Sequence, residues 1–322
     1  MRFLILFPKY YWSHKMSGGR RDVIRWLLDS TRSTLSGPGW TNWGESATLE
    51  QNISRIMPDA EAILWYKPLG NERNGVPPVI ESHRHSIPTV EVFNEAWWPE
   101  RRAYNECMQA GTDLVIHHHL SDAKQFAGIP AVHIPHCANQ HVFTRHAREW
   151  EDRDISLLVV GALDKAIYPL RTRVAEMIKS GAFPGAWVRK HPGYRLPDLE
   201  ACDWQQDDYA RELGRAKLVL CCASKYNYGL AKTVEAAQAG ACVIGDVPPD
   251  FEFTLGPHMM SLDNAWSDND LRRAINAYIK SNPWPFANGG QDVAVRHHGI
   301  DVYCHRLISA VEGFIAARSV AA

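Results

Sequence analysis

Lys232 and Glu235, three positions apart, are the residues of this chain whose types and spacing say most about chemistry. They lie in LVLCCASKYNYGLAKTVEAAQAGACVIGD, residues 218–246. This stretch reads as a buried strand (218–222), a polar loop (224–228), a helix (229–239) and, after Gly240, a second buried strand (241–245). Residues three apart share one helix face. A helix start beyond the carboxyl end of a parallel strand favours phosphate, because its free N–H groups and its dipole act together. A cation in the first turn neutralises a diphosphate, and a carboxylate one turn on accepts two hydrogen bonds from a ribose diol. The pair is therefore equipped to hold a nucleotide sugar. The bland alternative is a solvated ion pair, but Ala231, Val234, Ala237 and Ala239 supply the packing surface and leave Lys232 and Glu235 beside a ligand-type loop.

Other residues join this set. The segment VVGALDKAIYPLRTR (159–173) reads as a strand ending at Gly161, a loop, and a helix opened by Pro169, with Lys165, Arg171 and Arg173 as its cations. Lys190-His191-Pro192-Gly193-Tyr194 follows another strand, and Pro and Gly force a turn that turns Lys190 and His191 over the same edge, with Tyr194 near a base. The loop 9–19 ends in Gly18-Gly19 before a helix near Arg21, and paired glycines admit a ligand close to the backbone. Glu95 ends a strand, where a carboxylate can take a proton from a hydroxyl attacking an anomeric carbon. His117-His118-His119 closes another strand. Alternation sends neighbouring side chains to opposite faces, and no zinc-type spacing completes a set with His133 and His136, so no metal site is expected. One of the three remains open as a base or phosphate contact. Asp152-Arg153-Asp154 precedes a strand rather than following one, so it is rejected as a metal motif.

Positioning these residues requires two α/β layers. Short apolar runs alternate with helical patterns throughout. Strands are expected at 3–7, 62–66, 89–93, 113–117 and 131–134, then at 156–161, 186–190, 217–222, 242–245 and 259–262. Helices are expected near 21–30, 49–57, 101–110 and 121–126, then near 170–180, 207–215, 229–239, 268–281 and 302–317. Ser267 followed by Asp270 resembles a capping box. A length of 322 residues suits two domains. We expect them at 1–149 and 150–304, joined through the polar stretch 145–154, with a final helix (about 305–322) crossing back to the first.

Composition narrows the classes. Hydrophobic content of 45% and charged content of 22% suit a globular enzyme, and a net charge of −1 gives no general pull toward nucleic acid or anionic membrane. Seven scattered cysteines, two of them (Cys221-Cys222) inside an apolar strand, read as reduced core residues of a cytoplasmic protein. The opening apolar run is too short for a signal peptide or a membrane span.

The stretch 207–246 resembles the donor-binding module of GT-B glycosyltransferases, especially the spore-protein CgeB-like group. The resemblance extends over most of the chain through the Gly37-Pro38-Gly39-Trp40 loop, PDAEAILWY (58–66), VVGALDKAIYPLR (159–171) and RHHGIDVYCHRLISAV (296–311). It implies two Rossmann-like parallel-sheet domains facing across a cleft, the second binding the nucleotide sugar and the first offering the acceptor. Glu235 would then hold the ribose hydroxyls, Lys232 a donor phosphate, and Arg171 further phosphate oxygens. Gly18 and Gly19 would face the diphosphate, and Lys165, Lys190, His191, Asn227, Tyr228, Gly229 and Thr233 would complete the donor site. Many retaining members carry a Glu where this chain has Asn227, an amide that hydrogen-bonds but supplies no charge. The same helix also resembles bacteriophage DNA β-glucosyltransferases, inverting enzymes with Arg-x-x-Glu in place of Lys232-x-x-Glu235 and an Asp base at a strand end, where this chain has Glu95. The resemblance implies metal-independent transfer from a nucleotide sugar, most simply a UDP-sugar. The acceptor hydroxyl would belong to a small molecule, a glycan or 5-hydroxymethylpyrimidine in DNA. A non-catalytic nucleotide-binding protein of the same shape is the competing class, and an epimerase a third. No integral membrane association is implied, and oligomeric state, sugar and stereochemical outcome stay open.

Overall fold

The structure, a computed structural model, describes residues 1–14, 18–66, 87–96, 102–109, 111–193 and 195–321. Tyr194 falls outside these. The chain divides into two compact units. One comprises 1–134, 194–202 and 303–322; the other comprises 135–193 and 203–302. The break after Ile134 precedes the polar stretch 145–154, and the chain from Tyr303 onward groups with the first unit.

Among the described residues the first unit carries a six-stranded sheet in the order β2-β1-β3-β4-β5-β6. Its strands are β1 (Phe3–Leu6), β2 (Thr34–Ser36), β3 (Ala62–Tyr66), β4 (Thr89–Phe93), β5 (Leu114–His117) and β6 (Ala131–His133). Every pairing is parallel. All four residues of β1 are buried, as expected for a parallel strand covered on both faces. The helices are α1 (Lys9–His14), α2 (Gly18–Ser30), α3 (Leu49–Ile56) and α4 (Arg102–Gln109). Leu4, Leu6 and Ile63 pack with Trp43, Leu49 and Ile53, while Phe93 and Val115 pack with Cys107 and Phe126. Thr48 caps α3 with a full capping box to Gln51.

Two elements here differ from the sequence reading. Residues 9–14, expected as loop, form α1, because Tyr11 is buried with its ring 6.3 Å from that of Phe7. The strand β2 carries no apolar run of its own and exists through its ladder with β1, Leu4 opposite Thr34.

The second unit has a five-stranded parallel sheet among the described residues, in the order β11-β10-β9-β7-β8. Its strands are β7 (Ile155–Val159), β8 (Trp187–Val188), β9 (Ala216–Leu220), β10 (Cys242–Gly245) and β11 (Met260–Ser261). The helices from here on are α5 (Gln140–Phe143), α6 (Pro169–Lys179), α7 (Leu199–Arg215), α8 (Ala231–Gln238), α9 (Asp268–Lys280), α10 (Trp284–His298) and α11 (Ile300–Ala321). Ser267 caps α9 by accepting the Asp270 N–H. Leu157, Val159, Leu218, Leu220 and Ile244 line one face of the sheet, Leu158, Val219 and Val243 the other. Each such fully buried aliphatic contributes about 1.5–3 kcal/mol. α10 was not expected. Gly289 is needed for contact, since a Cβ there would lie 2.7 Å from His258 Nδ1. Arg153 is 2% exposed and donates to the carbonyls of Arg148, Ala216 and Ala239, at 2.9, 2.8 and 3.1 Å, which ties the start of β7 to neighbouring loops.

Candidate functional site

In the second unit the chain goes from β7 outward to β8 and then returns to β9 on the other side of β7. That reversal is a topological switch point, and the loops leaving β7 and β9 diverge there to open a crevice at the carboxyl ends. Register makes the three exits neighbours. Val159 pairs with Leu220 on one side and with Val188 on the other, and the Arg189 N–H continues the ladder to the Val159 carbonyl at 2.9 Å.

Gly161, just past β7, has φ +98°, a left-handed conformation suited to glycine. A Cβ there would lie 2.9 Å from Arg171 Nη1 and 3.0 Å from Lys232 Cε, so side chains from α6 and α8 converge over a bare backbone. Arg171, in the first turn of α6, is 2% exposed. Its Nη1 donates to the Ala162 carbonyl at 3.2 Å, and its guanidinium lies 4.1 Å over the Tyr168 ring. Its Nε and Nη2 are buried and have no hydrogen-bond partner among the described residues. Buried donors are nearly always satisfied, and a guanidinium fork matches phosphate oxygens.

The helix α8 begins at Ala231 rather than Gly229, and no side chain caps it. Lys232 stands in its first turn, where the Thr233 N–H donates to the Leu230 carbonyl at 3.0 Å. The Gly229 N–H, expected to face phosphate, instead donates to Asp250 Oδ2 at 2.6 Å, and a Cβ on Gly229 would lie 2.6 Å from Asp250 Cβ. Gly229 is glycine because Asp250 packs against it. The preceding loop is tightly wound: Ser224 and Asn227 have φ +60° and +62°, and the Tyr228 N–H reaches the Ala223 carbonyl at 2.6 Å. Asn tolerates this conformation better than most residues. Tyr228 is 3% exposed, its ring 5.6 Å from that of Tyr226. Asp246, at the end of β10, accepts the Ala223 N–H at 2.9 Å, and burial raises its carboxyl above the usual range.

His191 is half-buried, and its Nδ1 accepts the Gly193 N–H at 3.0 Å. Burial lowers its pKa, and the charges of Lys232 and Arg171 lower it further. Glu235 is half-buried on α8 and lies within charge reach of Tyr209 on α7. The phenol of Tyr209 is raised well above its ordinary value, by burial first and then by Glu235 and Cys221. Thr233 is 3% exposed and its hydroxyl engages the Cys221 thiol, so it faces the core. Burial pushes the Cys221 thiol up to about 12, and the Cys242 thiol likewise. Lys165 and Lys190 are exposed. Arg173 is taken up by Asp268 at 2.7 Å and by the Asn264 and Trp266 carbonyls at 2.6 Å, bracing the loop before α9.

The remaining expected residues belong to the first unit. Gly18 and Gly19 open α2, and Glu95 follows β4 half-buried. Arg20 lies within charge reach of Glu95. Its guanidinium is lowered by burial, which the Glu95 carboxylate opposes. His117 Nδ1 sits 2.9 Å from the His119 carbonyl, and His118 Nδ1 donates to the Ile134 carbonyl at 2.9 Å. Burial drives His118 down to about 3, so it is neutral. Among the described residues no group of three or more His, Cys, Asp or Glu is arranged to hold a metal ion, and no helix is long and apolar enough to cross a membrane.

Gly161, Asp246 and Asp250 were missed as site-shaping residues; only the strand-end position of Gly161 carried a signal.

No protein-family model matches the chain, and no curated protein matches it. Solved structures do. A sucrose-phosphate synthase from Thermosynechococcus elongatus is 12% identical over 98% of this chain and 100% of its own, with a TM-score of 0.62. An α-glucosyltransferase in complex with UDP and a 13-mer DNA is 9% identical over 97% of this chain and 100% of its own, at 0.64. HepE from Anabaena, in complex with UDP and glucose, is 12% identical over 97% and 99%, at 0.60. At such identities the likeness is one of fold, and with two Rossmann-like parallel sheets and closing C-terminal helices the chain has the GT-B fold.

Proposed function

We propose that the protein is a glycosyltransferase that takes a nucleotide sugar, a UDP-sugar in the simplest case, and transfers its sugar to a hydroxyl acceptor. The observation that carries this reading is the convergence of Arg171 and Lys232 over Gly161 at the switch point, with two buried guanidinium donors left without a partner among the described residues. A diphosphate oxygen is the group such donors fit. Arg171, Lys232 and the uncapped start of α8 meet the charge that develops on the departing diphosphate, work a divalent ion would otherwise do. Glu235 accepts hydrogen bonds from the ribose diol. Asn227, Tyr228 and the 190–193 turn line the nucleotide, with Lys165, Lys190, Gly18 and Gly19 as outer contacts.

In the inverting form of the reaction, the acceptor oxygen forms a bond to the anomeric carbon as the bond from that carbon to the diphosphate breaks. The leaving electron pair stays on the diphosphate oxygen, and the acceptor proton passes to Glu95. A small molecule or glycan is the acceptor class we favour. A hydroxymethylated pyrimidine in DNA is the second, supported by the shared fold with an α-glucosyltransferase solved on DNA. A steep loss of DNA affinity with added salt would select it.

The test is a thermal-shift screen with UDP-glucose, GDP-mannose and ADP-glucose, followed by an assay of donor turnover. A ligand at 100 times its dissociation constant adds about 2.7 kcal/mol of stability. Stabilisation with turnover supports the transferase. Stabilisation without turnover on any acceptor supports the non-catalytic nucleotide holder. The absence of any shift overturns both.

A further inference from the structure

We propose that His191 is a neutral hydrogen-bond donor of fixed tautomer, presenting Nε2–H to the diphosphate of the nucleotide sugar beside Arg171 and Lys232. The inference rests on the nucleotide-sugar reading and adds to it the protonation state of one ligand contact.

The argument begins with backbone geometry. Gly193 has φ +90°, which folds the chain after β8 back on itself and brings its N–H to His191 Nδ1 at 3.0 Å. An N–H only donates, so Nδ1 must accept and carries no proton. The neutral ring then bears its single proton on Nε2, at the opposite edge. Forming the imidazolium would set Nδ1–H against the Gly193 N–H and lose this bond. A histidine near phosphate is ordinarily imagined as a cation, and here the local geometry opposes that.

Register places the ring. Val188 pairs with Val159 and the Arg189 N–H bonds the Val159 carbonyl, so His191 emerges next to Gly161, over which Arg171 and Lys232 converge. Burial lowers the imidazole's pKa, and the charges of Lys232 and Arg171 lower it further. A third positive charge would repel both. A neutral Nε2–H instead supplies a directional bond to a phosphate oxygen without adding a third charge.

Substitutions separate the two ring edges. Gln places its amide nitrogen near the position of Nε2, whereas Asn places its own near Nδ1. Binding of UDP-glucose, GDP-mannose and ADP-glucose is measured by calorimetry between about pH 5.5 and 8. The diphosphate of a nucleotide sugar does not titrate there. The expected results are wild-type affinity constant within about three-fold across this range, His191→Gln within about three-fold of wild type, and His191→Asn weaker by about ten-fold or more. Affinity rising ten-fold on acidification, or Asn and Gln variants binding equally, overturns the proposal while leaving nucleotide-sugar binding intact. If wild type binds none of the three probes, the nucleotide-sugar reading falls and this inference with it. The wild-type ring supplies a measurement independent of folding of the variants. Long-range proton–nitrogen correlation spectra at pH 6 should show a protonated Nε2 and a bare Nδ1, and an imidazolium or Nδ1–H pattern would refute the assignment.

Discussion

Arg171 and Lys232, on the helices that follow β7 and β9, meet over one glycine: a Cβ on Gly161 would lie 2.9 Å from Arg171 Nη1 and 3.0 Å from Lys232 Cε. The backbone there has φ +98°, so an alanine meets both a strained conformation and two displaced cations. Gly161→Ala should cost on the order of 1–3 kcal/mol from the backbone alone, or about 2–4 °C in melting temperature per kcal/mol. Nucleotide-sugar affinity should drop by about ten-fold or more, which differential scanning and calorimetric titration would read. Unchanged affinity would mean that the Gly161 opening is not where the ligand lies.

Arg171 allows a sharper separation of stability from binding. Its Nε and Nη2 have no partner among the described residues although the residue is 2% exposed, so a buried charge is incompletely satisfied there. Arg171→Met keeps much of the packing against Tyr168 and removes that charge. Melting temperature should hold or rise, while affinity for nucleotide sugar should fall by about 3–6 kcal/mol if two charged hydrogen bonds are lost. A variant that loses several kcal/mol of stability in the absence of ligand would instead mark Arg171 as a structural residue.

Glu235 is tested through the ribose rather than through overall affinity. Removing its carboxylate should weaken binding by about 1.5–3 kcal/mol per hydrogen bond. The preference for UDP over 2′-deoxy-UDP should shrink in Glu235→Gln, because the lost contact is to the 2′-hydroxyl. If both proteins discriminate equally between the two nucleotides, Glu235 does not read the ribose, and its nearness to Tyr209 is then its structural role.

The parallel strands were legible because their residues are mostly apolar: β1 and β10 are buried throughout, and β7 and β9 are broken only by Ser156 and Lys217. The Lys232–Glu235 spacing was legible because a helix fixes it. The start of that helix was not, because Gly229 resembles a helix-opening residue in sequence and only the folded chain brings Asp250 to its N–H. α10 was hidden for a related reason. Gly289 and Gly290 weaken a helix taken alone, and only the approach of His258 shows why they are tolerated. Arg153 looked like one charge in a polar stretch; three backbone carbonyls separated in sequence make it a buried brace. Each miss is a contact between segments distant in sequence, which periodicity cannot carry.

His118 should leave a signature in the acid stability of the protein. Its Nδ1 donates to the Ile134 carbonyl at 2.9 Å, and burial lowers its pKa from 6.5 to about 3. Below pH 6.5 the unfolded chain binds a proton at this residue that the folded chain refuses until near pH 3. The unfolded state therefore binds more protons in that window, so stability rises with pH across it and is lost as pH falls. This one group accounts for about 2 kcal/mol of loss between pH 6.5 and 5. His118→Asn keeps an N–H for the Ile134 carbonyl and removes the titration. Urea unfolding at several pH values should therefore show a shallower slope for the variant than for wild type between pH 6.5 and 5, while carboxylate contributions cancel in the comparison. Parallel slopes would mean that the folded protein accepts the proton on His118 as readily as the unfolded chain does.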